Sequence, residues 1–98
     1  MSLKDIDHVA IPIEHVDELL TFYEELGFRL NRDHAPNFYS VHLGDTKINF
    51  HAPSVWMSDR FTLRARDATP GCGDFCVVWE GTQDQLHDML NQNKVPIV

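Results

Sequence analysis

One pattern occurs twice in these 98 residues: an alternating strand followed directly by an amphipathic helix. In the first copy, Ile6 to Ile13 alternates, with Val9, Ile11 and Ile13 on one side and Ile6, His8, Ala10 and Pro12 on the other. That is the period of a β-strand. Val16, Leu19, Leu20, Tyr23 and Leu26 then form one helical stripe. Asp17 and Glu18 lie in the first turn, where the helix dipole favours negative charge, and Gly27 follows as a C-terminal stop. The second copy runs from Asp74 to Trp79 as a strand and from Thr82 to Asn93 as a helix. Thr82 and Gln85 have capping-box spacing, and Leu86, Met89 and Leu90 form the apolar stripe. An offset of 66 residues carries His8 onto Asp74, Ile11 onto Val77, Leu20 onto Leu86 and Tyr23 onto Met89. Such internal periodicity decides the architecture before any single element does.

Between the two copies the first pattern is extended by short strands. Phe28 to Arg32 leads out of the helix. Tyr39, Val41 and Leu43 alternate with Ser40 and His42. Gly44-Asp45 marks a two-residue hairpin turn, and Thr46, Ile48 and Phe50 alternate with Lys47, Asn49 and His51 before Pro53 ends the strand. The order is β-α-β-β-β. Residues 54–73 read as a connector without sustained period, a length usually reserved for function or for joining modules. The expected layout is one domain over 1–98: module one about 5–53, connector 54–73, and a partial module two over 74–98, in which Val95 to Val98 begins a further strand. The second module stops two or three strands short of the first. A longer chain or another chain would have to supply them, since an open sheet leaves unpaired edge groups.

Composition narrows the partners. Eight Lys and Arg stand against fifteen Asp and Glu, a net charge of −7. Phosphate backbones call for clustered basic residues, and the only basic run, Arg60, Arg64 and Arg66, reads as a solvated loop. Nucleic acid and anionic membranes are therefore not expected partners. No apolar stretch is long enough for a membrane span, and the N-terminus has no signal-peptide pattern, so the expected compartment is the cytoplasm. Cys72 and Cys76 match neither a zinc ribbon nor a disulfide framework. Cys76 reads as strand packing and Cys72 as a loop thiol.

Strand parity selects the candidate site. His8, Asn49, His51 and Asp74 each lie on the face opposite the aliphatic residues of their strands. If the sheet curls, His8, His51 and Asp74 can converge, and two imidazoles with a carboxylate suit a divalent transition metal. The bland alternative is that each is a polar surface or hydrogen-bonded residue. His42 shares a face with Ser40 and is a candidate pocket-lining residue. His15, His34 and His87 read as surface. No nucleophile elbow, H-E-x-x-H or phosphate-binding glycine loop is present.

The stretch Asp7-His8-Val9-Ala10-Ile11, followed by Phe22-Tyr23-Glu24-Glu25-Leu26-Gly27-Phe28, resembles the opening of the vicinal oxygen chelate superfamily: the glyoxalase, bleomycin-resistance and extradiol-dioxygenase proteins. Gly44 to His51, and Thr69-Pro70-Gly71 with Asp74-Phe75-Cys76, are similar to a virulence-protein-like glyoxalase subgroup. The resemblance implies an α+β fold of paired βαβββ modules wrapping a metal-centred cleft, with a homodimer as the assembly. It implies a divalent metal (Zn, Mn, Ni or Fe) held by His8. Asn49 stands where the family commonly has a Glu, with His51 two residues on, and Asp74 stands where it usually has a His. The implied function is a metal-dependent lyase or dioxygenase acting on a small molecule with vicinal oxygens. The alternative is a non-catalytic small-molecule binding protein of the bleomycin-resistance type. Arg29, Arg32 and Arg60 are candidate anchors for an acidic substrate.

Overall fold

The computed structural model describes residues Met1–Val98. β1 (Val9–Pro12), β2 (Arg29–Asn31), β3 (Phe38–Leu43) and β4 (Thr46–His51) form one sheet in the order β1-β4-β3-β2. β1 runs parallel to β4, and the other pairs are antiparallel. The crossover from β1 is made by α1 (Val16–Glu25), which packs against one face of the sheet. The mixed α+β class and the β-α-β-β-β order are as the alternation and the helical stripe indicate.

The end of α1 explains why its sequence motif takes the form it does. Gly27 has φ +102°, the left-handed region that a side chain resists. Its N–H donates to the Glu24 carbonyl at 3.0 Å, and the Phe28 N–H donates to the Tyr23 carbonyl at 3.1 Å. These two bonds are the Schellman pair, and the apolar contact that accompanies it is Phe28 on Tyr23, ring centroids 5.1 Å apart. Tyr23, Gly27 and Phe28 thus stop the helix and turn the chain into β2 together. Across the sheet, Gly44 (φ +56°) sits first in the two-residue turn that pairs Leu43 with Thr46.

The core lies between α1 and the sheet. Ile13, Leu20, Val41, Ile48 and Phe50 are buried, and Tyr23, Leu19, Ile11 and Leu30 pack around them. Beyond β4, α2 (Pro53–Trp56) adds buried Val55, and the Trp56 indole donates to the Ile13 carbonyl at 2.8 Å. This short helix lies within the stretch expected to be a structureless connector. Proline at its first turn suits a helix start, because the missing N–H is one a helix leaves unbonded anyway.

The second half differs from expectation. α3 (Gln83–Gln92) forms, closed by reciprocal bonds between Thr82 and Gln85 at 2.9 and 3.1 Å. Residues 74–79 and 95–98 do not form the expected strands, and residues 74–80 take no part in backbone hydrogen bonding. Alternation alone does not make a strand; a ladder partner does, and none lies beside this segment. Phe75, Val77, Val78 and Trp79 are therefore exposed, and α3 has no buried residue. Cys76, expected in strand packing, is exposed for the same reason, as is Cys72. The Cα radius of gyration is 15.2 Å, against about 13 Å for a packed domain of this size. The chain re-enters the second half past β1, where a Cβ on Gly73 would meet Ile11 Cδ1 at 2.9 Å.

Candidate functional site

The face of the sheet opposite α1 carries most of the polar residues of β2, β3 and β4. Pairing sets Ala10 beside Asn49, Asn49 beside Ser40, and Ser40 beside Asn31. A groove of about 400 Å³ lies over this face, lined by Asn31, His34, Ser40, His42, Lys47 and Asn49. Phe38 and Tyr39 complete its wall. Ser40 Oγ and His42 Nε2 are hydrogen-bonded at 2.9 Å.

His8 lies one residue before β1, at the edge of this face. Its Nδ1 is 2.7 Å from Asp7 Oδ2. The hydrogen bond from His8, helped by the charges of Lys47 and His8, holds the Asp7 carboxyl below its usual range. The contact fixes one ring nitrogen and leaves Nε2 as the free donor atom. Extending the parallel register by one residue sets His8 beside Lys47, with Asn49 two residues further along β4.

His51 sits at the other end of β4 and is 7% exposed. The rings of Phe38 and Phe61 stand edge-on to it, at centroid distances of 5.5 and 5.0 Å. Burial, reinforced by the charges of His8 and Arg64, lowers its pKa, so the imidazole is held neutral. Four residues separate it from Lys47, roughly 13 Å along a strand. The register therefore groups His8 with Asn49 more closely than with His51. Asp74 is exposed and lies in the unpaired segment. No three His, Cys, Asp or Glu side chains in this structure are placed together to hold a metal. Of the four residues singled out from sequence, Asn49 and His51 lie on the open face of β4 and His8 at its edge, while Asp74 follows Gly73, which packs on Ile11 of β1.

Sequence reading passed over Lys47, Asn31 and Arg29 as parts of one surface. The signal was available: a two-residue turn at Gly44-Asp45 forces Leu43 onto Thr46 and hence His42 onto Lys47. None of the three helices is long and apolar enough to cross a membrane.

Three comparisons bear on kinship. The chain is 28% identical over 93 residues to virulence protein STM3117 of Salmonella typhimurium, covering 94% of this chain and 59% of that relative. It thus spans about three-fifths of the length of the curated relative it matches. The crystal structure of that virulence protein is similar over 100% of this chain and 75% of the other, with a TM-score of 0.82 at 27% identity. An integron cassette protein from the mobile metagenome of V. cholerae shares the fold, with a TM-score of 0.77 at 20% identity over 96% of this chain and 70% of that one. Residues 5–79 match the model of the Glyoxalase/Bleomycin resistance protein/Dioxygenase superfamily. With three-quarters of its length matched and its β-α-β-β-β sheet and helix shared with solved relatives, this chain belongs to that superfamily.

Proposed function

We propose that the protein binds a small molecule with vicinal oxygens on the open face of its sheet and acts on it as a divalent-metal-dependent enzyme of the glyoxalase or dioxygenase type. The observation that supports this reading is the Asp7–His8 pair. Metal-ligating histidines commonly give their second ring nitrogen to a carboxylate, which fixes the ring and raises its basicity. His8 has that arrangement at the edge of the groove. Asn49 lies two residues along β4 from Lys47, the residue beside His8.

Within this chain the fit to a metal is partial. His8 would supply one donor, His51 is turned into an aromatic enclosure, and Asp74 is exposed on an unpaired segment. The remaining donors have to come from outside the first-module sheet. When bound, a divalent ion of this class polarises substrate oxygens as a Lewis acid, and Zn, Mn, Ni or Fe suits an imidazole donor. What the chain's own residues do is hold the ligand: Asn49, Asn31 and Ser40 offer amide and hydroxyl hydrogen bonds to its oxygens. The single-domain layout, with 74–98 as part of module two, a homodimeric assembly and a cytoplasmic location go with this reading. The free thiols of Cys72 and Cys76 suit a reducing compartment.

A second reading, a non-catalytic protein that sequesters its ligand, is favoured by the amide of Asn49 and by the incomplete donor set. Elemental analysis separates the two. The expected result is near-stoichiometric metal that is lost in His8→Ala. Absence of metal, with no uptake of added zinc, manganese, nickel or iron, would overturn the enzyme reading and leave the sequestering one.

A further inference from the structure

Four side chains on the open face form a closed group fixed by the β3–β4 register. Ser40 pairs with Asn49, and His42 pairs with Lys47. All four alternate with Val41, Ile48 and Phe50, which the core encloses, so they stand together on the other face. Cross-strand partners hold their Cβ atoms roughly 5 Å apart. Residues two apart on one strand are separated by roughly 6.7 Å. The result is a rectangle with a hydroxyl, an imidazole, an ammonium and a carboxamide at its corners. All four residues are half-buried and line the groove of about 400 Å³.

Inside this rectangle one bond is made and two groups are left free. Ser40 Oγ and His42 Nε2 are 2.9 Å apart, the reach required of a nucleophile and its base. With the imidazole proton at Nδ1, the Ser40 hydroxyl donates to Nε2, whose lone pair can then take the serine proton. The other side-chain bonds of the groove lining join Asn31 to Asp33. Asn49 has no side-chain partner. Lys47 belongs to neither of the chain's ion pairs, which are His8 with Asp7 and His15 with Glu14. Every fully shielded side-chain nitrogen and oxygen has a partner, so these two free donors open onto the groove. A carboxamide across from the hydroxyl and an ammonium across from the imidazole are placed where negative charge would develop on a substrate attacked by Ser40. Preset donors at that position are the main electrostatic aid an acyl-transfer site can give.

We propose that Ser40 is a nucleophile activated by His42, and that the groove carries a metal-independent acyl transfer from small carboxylic esters to water. In the first step the Ser40 O–H proton passes to His42 Nε2 while Oγ bonds to the acyl carbon. The carbonyl electron pair moves onto its oxygen, which receives hydrogen bonds from Asn49 and Lys47. As the pair returns, the bond to the leaving alkoxide breaks, and His42 hands the alkoxide its proton. Water then repeats the sequence on the acyl-serine, with His42 again as base, and releases the acid and free Ser40. The groove is large enough for such a substrate. This activity stands beside the metal-dependent reading and passes through neither His8 nor a metal ion.

Hydrolysis of p-nitrophenyl acetate by the whole chain in EDTA tests it, together with peptide mapping of acid-quenched samples by mass spectrometry. Release of nitrophenolate above the buffer rate is expected, with one acetyl group on Ser40. Ser40→Ala should lose both. His42→Gln should slow acylation by about 10²–10⁴-fold, the contribution of a general base. Asn49→Leu should slow it by about a hundredfold, the contribution of one oxyanion donor. His87→Ala, on the exposed face of α3, should change nothing, which separates the pair from catalysis by any imidazole in solution. Thermal melts check that the variants are folded, and the acetylation map is made on the parent chain, so it decides the matter even where a variant is not. Parent-level turnover in Ser40→Ala, an acetyl group on Lys47 or a histidine with none on Ser40, or no release above buffer would overturn the proposal. So would turnover that EDTA abolishes and zinc restores. Metal analysis of the same samples keeps the two readings apart: metal lost in His8→Ala without ester turnover removes the Ser40–His42 pair alone, and turnover without metal removes the metal alone.

Discussion

Leu20 and Leu86 occupy equivalent positions in the two strand–helix patterns, one on α1 and the other on α3. Leu20 has no exposed surface, whereas Leu86 is only half-buried. The strands differ in pairing: Val9 and Ile11 are paired through β4, Phe75 and Val77 with nothing. Similar sequence thus gives a packed layer in one place and an isolated helix in the other. The difference is the β2–β3–β4 meander, which gives the first helix a sheet to cover. α3 forms because its signals are local. A capping box and a polar, helix-favouring sequence need no tertiary partner, whereas a strand needs its ladder.

Core deletion should break the symmetry most strongly. Phe50→Ala is expected to cost about 3–5 kcal/mol and Leu20→Ala about 2–5 kcal/mol, since both side chains are fully enclosed between α1 and the sheet. Leu86→Ala should cost under about 1 kcal/mol, because no sheet lies over its helix. Equilibrium urea unfolding of the three variants reads the difference directly. A Leu86→Ala loss as large as that of Leu20→Ala would mean that the second helix is packed in solution, against a surface supplied by something other than β1–β4.

Helix ends sharpen the same contrast at smaller amplitude. Gly27→Ala forces a side chain into φ +102° at the stop that directs the chain into β2, and should lower global stability by about 1–2 kcal/mol. Thr82→Ala removes the cap of α3, worth about 1 kcal/mol to a helix. It should raise amide exchange across Gln83–Gln92 while leaving the urea midpoint in place. In the same experiment the amides of 74–80 should exchange unprotected and those of β4 at the global rate.

How much of this was legible follows the same division. The α1 stripe, the Gly44-Asp45 turn and the strand alternation are encoded within a few residues of each other, so β1, α1 and the β3–β4 hairpin were readable from sequence. The strand expected at 74–79 failed because its evidence was half of a pair: the alternation was present, and the partner strand is not a property of those residues. The site divides likewise. Parity placed His8, Asn49 and His51 on one face, but parity carries no information on distance along a strand. Only the register, Val9 on Ile48 and Pro12 on His51, separates His8 from His51 and sets Lys47, His42 and Arg29 in one row.

The smallest expected effect concerns Tyr23, which belongs to the packed half. Its ring lies 5.1 Å from Phe28 and 5.3 Å from Phe50, and burial raises its pKa above the ordinary phenol value. The folded protein therefore holds the proton more tightly than the unfolded chain, in which Tyr23 ionises near pH 10. Below that pH both states are neutral at this residue and its contribution is fully present. As pH rises above 10, the unfolded state loses its proton first and is favoured, so stability falls. Tyr23→Phe keeps the ring contacts and removes the ionisation. Its stability should lie within about 0.5 kcal/mol of the parent at pH 7, and its urea midpoint should decline less steeply between pH 9.5 and 11. Met89, the equivalent position on α3, has no ionisable group, so Met89→Tyr provides the matching control. A phenol there, with no sheet above it, should add no alkaline loss. A loss equal to that from Tyr23 would show that the second half is as enclosed as the first.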